Sequence, residues 1–464
     1  MSKVLTFDML TDGQKKAFNV VMKRLSEGKH TTVRGPAGTG KTAMMKFIVQ
    51  ELIRRGISGV ILATPTHQAK KVLSKAVGKQ AFTLHSILKL NPTNYEDTQV
   101  FEQKETPKLD DIRVIIVDEA SMVGRKLFDI LMKSVHGRII IIAVGDYYQL
   151  RPVDVNGGIE ISPFFTDEQF QQVELTEIKR SNAPIIDVAT RIRNGGWISE
   201  NTVDGEGCFR SHSLAEFMTR YFEAVKTPED LLENRVLAYT NKSVEKLNEI
   251  IRKRVYQTEE PVIKDEILVT QEPLIEQTRD PETGKKINNV IFNNGELIRV
   301  KEVIKRVFKL KCDNVEPITI EGYTLKVESV DEKDEKEFLN QKVGLDAVGF
   351  TSDDDLIVDI NVLTDEKEKA KLSVYLNKVA GCYREMKREN PNARPNWESF
   401  WETRRMFLNI KALPACTIHK SQGISVDRAF VYTPCLCCDS VDADLATQLL
   451  YVATTRARYR VDYI

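Results

Sequence analysis

The 464-residue sequence predicts an α/β protein: two blocks of buried strands alternating with helices, interrupted by a β-rich insertion. Three observations carry this expectation. Gly59-Val60-Ile61-Leu62-Ala63 and Val114-Ile115-Ile116-Val117 are continuous apolar runs of the kind a parallel strand buried on both faces requires. Between such runs, apolar residues fall at helical spacing, as at Met44, Met45, Ile48 and Leu52. The rhythm stops near residue 260 and resumes near 405, and the length itself calls for more than one core.

Composition narrows the class. Lys+Arg and Asp+Glu number 67 each, so a zero net charge gives no general attraction to nucleic acid, and any polyanion site must be a local patch. No apolar run is long enough to span a membrane, and the first residues lack the apolar core of a signal peptide, which together lead us to expect a cytoplasmic protein. Seven cysteines, an odd number, indicate reduced thiols, so the Asn241-Lys242-Ser243 sequon carries no meaning. Cys435, Cys437 and Cys438 lack the second Cys or His pair of a zinc site and read as a buried or loop cluster.

Taken in order, residues 6–27 read as a helix capped by Thr6, with Phe18, Val21, Met22 and Leu25 on one face and Gln14 early in it. A short β-compatible run at residues 30–34 precedes Gly35-Pro36-Ala37-Gly38-Thr39-Gly40-Lys41-Thr42, and a helix follows. This is a phosphate loop: Gly38, Thr39 and Gly40 let backbone N–H groups curl round a triphosphate, Lys41 reaches the β- and γ-phosphates, and the Thr42 hydroxyl can ligate Mg²⁺. The helix N-terminus adds its positive dipole end.

The second strand ends in Thr64-Pro65-Thr66-His67, and Thr83-Leu84-His85 follows a helix. Hydroxyls and imidazoles beyond strand carboxyl ends stand where α/β sheets bind ligands, although turn and cap chemistry would use the same residues. Residues 91–110 break the rhythm as a small surface hairpin, in which Phe101 is either a stacking aromatic or a plug. The next strand runs into Asp118-Glu119-Ala120-Ser121; below a phosphate loop, Asp118 would hold Mg²⁺ through water and Glu119 would polarise the attacking water. Another buried strand ends in Gly145-Asp146-Tyr147-Tyr148-Gln149-Leu150, which puts the Gln149 amide where it could sense the γ-phosphate. Lys179-Arg180 supplies either a phosphate-reading arginine or a surface ion pair.

Gly195-Gly196 and residues 205–207 read as an interdomain joint, after which α/β patterning resumes. The expected domains are 1–200 with its 91–110 hairpin, 201–260 joined to 405–464, and an accessory insertion over 261–404. Within the insertion, residues 290–300 read as a β-hairpin round Asn294-Gly295, residues 366–388 as a Lys-rich amphipathic helix, and residues 331–337 and Asp353-Asp354-Asp355 as solvated charge without a metal role. Trp397 and Trp401 could bind bases or anchor the insertion, with anchoring favoured for one of them. The chain then runs through Thr417-Ile418-His419-Lys420-Ser421-Gln422-Gly423, a strand, and a helix that delivers Thr454-Thr455-Arg456.

The ordered set of residues 35–42, 118–121, 145–150, 417–423 and 451–458 resembles the motifs of superfamily 1 helicases across nearly the whole chain. The Asp-Glu-Ala-Ser form and the Gly-Asp-x-x-Gln-Leu segment are similar to the RecD-like branch, superfamily 1B. Residues 182–189 and 425–430 closely resemble the Dda-type helicases of T-even-like phages. The resemblance implies two RecA-like P-loop motor domains, with a small hairpin inserted in the first and a β-rich SH3-like subdomain in the second. It implies ATP and Mg²⁺ as cofactors, with Gln14 on the adenine, Gln149 on the γ-phosphate, Gly423 beside the nucleotide, and Arg180 and Arg456 as arginine fingers. Pro65, Thr66, His67, Thr83, His85, Thr417, His419 and Lys420 would hold a single strand of DNA, with Pro92, Phe101 and Trp397 meeting bases. The implied partners are single-stranded DNA and a duplex fork, with a single-stranded-DNA-binding protein as a further candidate, for a monomer in the host cytoplasm. The implied activity is 5′-to-3′ translocation with duplex unwinding in phage replication or recombination. Arg151 departs from the second proline that many relatives carry, a change that would alter local DNA contacts. The same motifs would equally serve a DNA-stimulated ATPase switch or annealing factor. A GTPase fits less well, because Asn241-Lys242-Ser243-Val244 lacks the guanine-reading Asp. No residue decides between DNA and RNA.

Overall fold

In the computed structural model the described residues are 6–95, 98–103, 106–135, 137–152, 160–177, 183–279, 286–330 and 357–464. Arg180, residues 331–337 and Asp353 to Asp355 lie outside them. The chain divides into two compact units: residues 1–91, 103–251 and 414–464 form one, and residues 92–102 with 252–413 form the other.

The first unit holds two six-stranded sheets. In the first sheet β1 (His30–Arg34), β2 (Val60–Thr64), β3 (Ala81–Thr83), β6 (Val114–Val117), β7 (Ile140–Gly145) and β8 (Phe170–Glu174) lie in the order β3-β2-β6-β7-β1-β8, and every pairing is parallel. Helices on both faces explain why all four residues of β6 are apolar and buried. β1 breaks that rule with Thr31 and Thr32, and the buried Thr32 hydroxyl is satisfied by donating to the Phe164 carbonyl at 2.6 Å. α1 (Asp12–Ser26), α2 (Lys41–Arg54), α3 (His67–Val77) and α5 (Arg125–Ser134) bury one face each; Phe18, Val21, Met44, Ile48 and Leu73 share one core, and Phe128 and Leu131 of α5 lie in another.

The first helix starts later than its sequence suggests. Thr6 makes no side-chain cap and precedes only the turn Phe7–Met9, whereas Thr11 and Gln14 close a reciprocal capping box on α1. The glutamine at the third helical position selects Thr11 over Thr6.

In the second sheet β9 (Asn201–Val203), β10 (Glu206–Arg210), β11 (Asn234–Ala238), β19 (Ala415–Thr417), β20 (Val426–Val431) and β21 (Ala457–Tyr463) lie in the order β19-β11-β20-β21-β10-β9, with only β9–β10 antiparallel. α6 (Ala183–Arg193) packs into this sheet's core through Ile185, Val188 and Ile192, alongside Leu449 and Leu450 of the helix Ala443–Thr454. Gly195 and Gly196 therefore end α6, donating back to the Ile192 and Arg191 carbonyls, and are not a joint between the sheets.

The second unit is built on the five-stranded antiparallel sheet β17-β16-β15-β12-β18, dominated by the long pair β15 (Leu297–Leu310) and β16 (Ile318–Ser329); β12 (Ile267–Thr270), β17 (Val358–Val362) and β18 (Ile410–Ala412) complete it. The turn at Asn294-Gly295 exists, with Gly295 at φ 81°, but joins no hairpin. β14 (Lys286–Phe292) pairs with β13 (Leu274–Arg279), whereas β15 pairs with β12 and β16. Thr270 redirects the chain: its hydroxyl donates to the Asn293 carbonyl at 2.5 Å, and its own carbonyl accepts the Gly295 N–H at 2.8 Å. The helices Glu366–Glu389 and Trp397–Arg405 cover one end of the sheet through Tyr375, Tyr383, Phe400 and Trp401. The hairpin β4 (Leu90–Tyr95) and β5 (Thr98–Gln103) is inserted after α4 (Leu84–Ile87), and its residues 92–102 group with this unit.

Candidate nucleotide site and strand-binding face

β1 feeds the loop at residues 35–40 and α2 leaves it at Lys41. Gly40 sits left-handed at φ 73°, and a Cβ there would lie 2.3 Å from Gln14 Nε2, so only glycine fits. Gln14 is buried and works in two directions: Oε1 accepts the Thr11 N–H at 2.9 Å, and Nε2 donates to the Thr39 carbonyl at 2.7 Å. One N–H and one lone pair remain on that amide for a ligand. Thr39 is buried and closes the loop by donating to the Pro36 carbonyl at 2.8 Å. The Lys41 ammonium is held over the loop by the Gly35 and Pro36 carbonyls at 2.6 and 3.1 Å. Thr42 and Gly38 lie half-buried on the same turn.

Two strands away, Asp118 follows β6, with its N–H donating to Ala63 at 2.9 Å. Its carboxyl pKa is pushed up to about 7, first by burial and then by the charge of Glu119, with the Glu119 N–H and Lys41 pulling the other way. Glu119 occupies a left-handed conformation, φ 52° and ψ 41°, unusual for a residue with a Cβ and of the strained kind found at functional positions. Gln149 is 5% exposed, and among the described residues its Oε1 has no hydrogen-bond partner. The Asp118 carboxyl beside Glu119 and within the field of Lys41, with the Thr42 hydroxyl on the loop, supplies hard oxygens suited to a magnesium–nucleotide complex, and the orphaned Gln149 oxygen could accept from a water there.

The second sheet closes over this site. Arg456 follows the helix Ala443–Thr454; its guanidinium is buried, donates to Val452, Ser421 and Ile424 carbonyls at 3.1, 3.4 and 3.2 Å, and lies in the electrostatic field of Glu119. One face of that helix touches the first sheet repeatedly. Asp444 pairs with Arg151 at 3.2 Å, Gln448 accepts the Arg151 N–H at 3.3 Å, and Tyr451 bonds both Asp146 and Ala37 at 2.7 and 2.9 Å. Arg151 is thus a tie to the second sheet, and a proline there could not donate to Gln448.

Family models match the chain twice, a Dda helicase SH3 domain over residues 259–412 and an AAA domain over residues 9–210. The ATP-dependent DNA helicase dda of Enterobacteria phage T4 is 47% identical over 99% of this chain and 100% of its own. The chain belongs to the Dda helicase family. Among more distant relatives, the ATP-dependent DNA helicase Pif1 of Campylobacter jejuni is 23% identical over 91% of this chain and 85% of its own. The solved Pif1 helicase from Bacteroides in complex with ADP-AlF3 and single-stranded DNA aligns over 98% of this chain and 92% of its own at 18% identity, with a TM-score of 0.49. As a Dda-family chain it has two RecA-like motor sheets, the hairpin, and an SH3-like insertion.

The residues expected to hold a strand gather at strand ends of this Dda-family fold. β2 and β3 pair Thr64 with Thr83, which places His67 and His85 beside one another. Thr66 and Thr83 cap α3 and α4, accepting the Ala69 and Ser86 N–H groups at 3.2 Å each, and each hydroxyl retains its own proton to offer a ligand. Burial, and then the charges of Lys70, Lys71 and His85, lower the His67 pKa to about 4; burial likewise lowers His85 and His419. These imidazoles are neutral at pH 7, hydrogen-bonding groups and not cations. Pro65 is half-buried ahead of α3. In the second sheet, Thr417 Oγ1 accepts the Lys420 N–H at 3.3 Å, His419 lies 5.9 Å from the Tyr239 ring, and Lys420 is exposed.

Gly423 has φ 79° and a Cβ there would meet Ala69 atoms at 3.3–3.4 Å, so glycine there permits close approach to α3. Trp397 is packed against Tyr383 and Phe400 at 5.3 and 5.4 Å, and Trp401 is 5% exposed; both anchor the insertion. Phe101 is 51% exposed on β5, and Pro92 lies on β4. Cys435 Sγ donates to the Tyr432 carbonyl at 3.0 Å, and among the described residues no His, Cys, Asp and Glu cluster could hold a metal. The contact made by Tyr451 was not legible in the sequence: its partners are 305 and 414 positions away.

Proposed function

We propose that the chain is an ATP-dependent DNA helicase that moves 5′ to 3′ along single-stranded DNA and opens duplex at a fork, serving phage replication or recombination. The observation that carries this reading is the assembly of Lys41, Asp118 and Glu119 from one sheet with Arg456 from the other. Lys41 would bind and orient the β- and γ-phosphates, Glu119 would align the attacking water and accept its proton, and Gln149 would read the γ-phosphate. Thr42 and, through water, Asp118 would hold Mg²⁺, which would supply charge neutralisation on the phosphates. Arg456, with Arg180 as its proposed companion, would offset charge developing in the transition state, and each such finger is worth about 10³-fold or more. Loss of the γ-phosphate removes what these arginines hold, and the cleft between the sheets opens.

Motion on DNA follows if the two faces alternate their grip: Thr66, His67, Thr83 and His85 on the first, Thr417, His419 and Lys420 on the second. We further propose that the first motor ends before α6, that α6 and the second sheet form the other motor, and that Phe101 meets bases at the fork. We expect a monomer in the host cytoplasm, with a single-stranded-DNA-binding protein as a candidate partner.

The test combines ATPase rates with single-stranded DNA, RNA or no polymer, and strand displacement on duplexes tailed at either end. DNA-stimulated turnover with unwinding of the 5′-tailed duplex alone is expected. Unwinding of only the 3′-tailed duplex reverses the polarity, and stimulation without displacement identifies a switch or annealing factor. Lys41→Ala should abolish turnover while retaining DNA binding.

A further inference from the structure

We propose that Tyr451 is a positioning residue for ATP turnover, its hydroxyl latching the phosphate loop to the helix that presents Arg456 when the two sheets are closed on each other. This rests on the assignment of residues 35–42 and Arg456 to ATP hydrolysis.

The geometry is compact. Tyr451 OH donates to Asp146 Oδ2 at 2.7 Å and accepts the Ala37 N–H at 2.9 Å. Asp146 is fully buried, and its other oxygen accepts the Tyr148 N–H at 3.1 Å. A buried phenol needs a partner; this one has two, both on the opposite sheet's half of the site.

On its own helix the tyrosine is continuous with the arginine. Thr455 returns its N–H to the Tyr451 carbonyl at 3.1 Å and its hydroxyl at 2.9 Å, and Arg456 Nε donates to Val452 at 3.1 Å. The ring is 2% exposed, wedged in a core with Leu449, Leu450 and Val452, so it cannot turn away unless the helix moves. Burial first, then the charge and hydrogen bond of Asp146, raises the phenol pKa well above its ordinary value, and the hydroxyl stays a donor throughout the neutral range. A rotation that draws the helix from the loop must break both bonds, and one that seats Arg456 restores them.

Tyr451→Phe keeps the ring and its packing. The expected result is a fall of about tenfold in DNA-stimulated kcat, the scale of the buried hydrogen bonding lost with the hydroxyl, with the KM for ATP within about twofold of wild type. Fewer base pairs should be opened per ATP. Adding Asp146→Asn to that background should lower kcat by less than about twofold more, because the bond between Tyr451 and Asp146 is already gone. Unchanged kcat and coupling would overturn the proposal, as would a raised KM at full kcat or effects of the two changes that simply multiply. A fall in kcat that tracks a loss of folded protein, read by thermal melting of the same samples, would assign Tyr451 to packing alone and also overturn it. A wild-type protein without DNA-stimulated ATPase would instead defeat the functional reading beneath it.

Discussion

Gly40 and His67 show how far single residues are constrained here. At Gly40 a methyl group would meet Gln14 Nε2 at 2.3 Å on a backbone already at φ 73°. Gly40→Ala is therefore expected to cost about 1–2 kcal/mol or more in stability and to abolish binding of a fluorescent ATP analogue, measured by titration; wild-type affinity would refute the loop geometry. His67 carries a pH dependence of definite sign. Its folded pKa of about 4 lies below the ordinary 6.5, so the unfolded chain takes up the proton first. The stabilisation is full above pH 6.5 and is lost as pH falls towards 4, by roughly 1–2 kcal/mol. Melting curves at pH 7 and 4.5 should show a smaller drop for His67→Gln than for wild type, and equal drops would contradict the burial. Asp118 was legible from its place after an apolar strand, yet its raised pKa was not, because that depends on how deeply the folded chain encloses it beside Glu119.

At the scale of elements, the helix Ala443–Thr454 is the informative one. Asp444, Gln448, Tyr451 and Thr455 recur at helical spacing, and three of them bond to the first sheet or its loops. Arg151→Pro would remove the N–H given to Gln448 and the ion pair with Asp444. The loss of about 1–2 kcal/mol between the sheets should lower the thermal midpoint and the DNA-stimulated ATPase severalfold, while single-stranded DNA affinity without nucleotide is retained; a full ATPase rate would make the contact incidental. Strand and helix identities in both sheets could be read from apolar runs, since parallel strands buried on two faces have a distinctive composition. The Asn294-Gly295 hairpin could not, because local turn chemistry favours a bend whichever strands pair afterwards, and Thr270, 24 positions upstream of Asn294, decides the outcome. The joint placed at Gly195-Gly196 failed likewise: a glycine pair ends a helix as readily as it links domains.

For the whole molecule, a catalytic set split between two sheets means that nucleotide binding should stabilise both together. A non-hydrolysable ATP analogue with Mg²⁺ at about 100 times its Kd should add about 2.7 kcal/mol, raising the melting temperature by a few degrees in one transition of the first unit, and Lys41→Ala should lose that rise. A shift confined to only one of two resolved transitions would argue that the sheets respond separately. The box formed by Thr11 and Gln14 has a practical corollary for anyone handling the protein. The same amide that starts α1 also braces Thr39, so a fusion tag or proteolytic nick that frays the opening turn of this helix would loosen the nucleotide pocket without touching a catalytic group. Preparations differing only at their amino-terminal end would then differ in apparent ATP affinity, and an inhibitor lodged under that turn would act on turnover without competing for the phosphates.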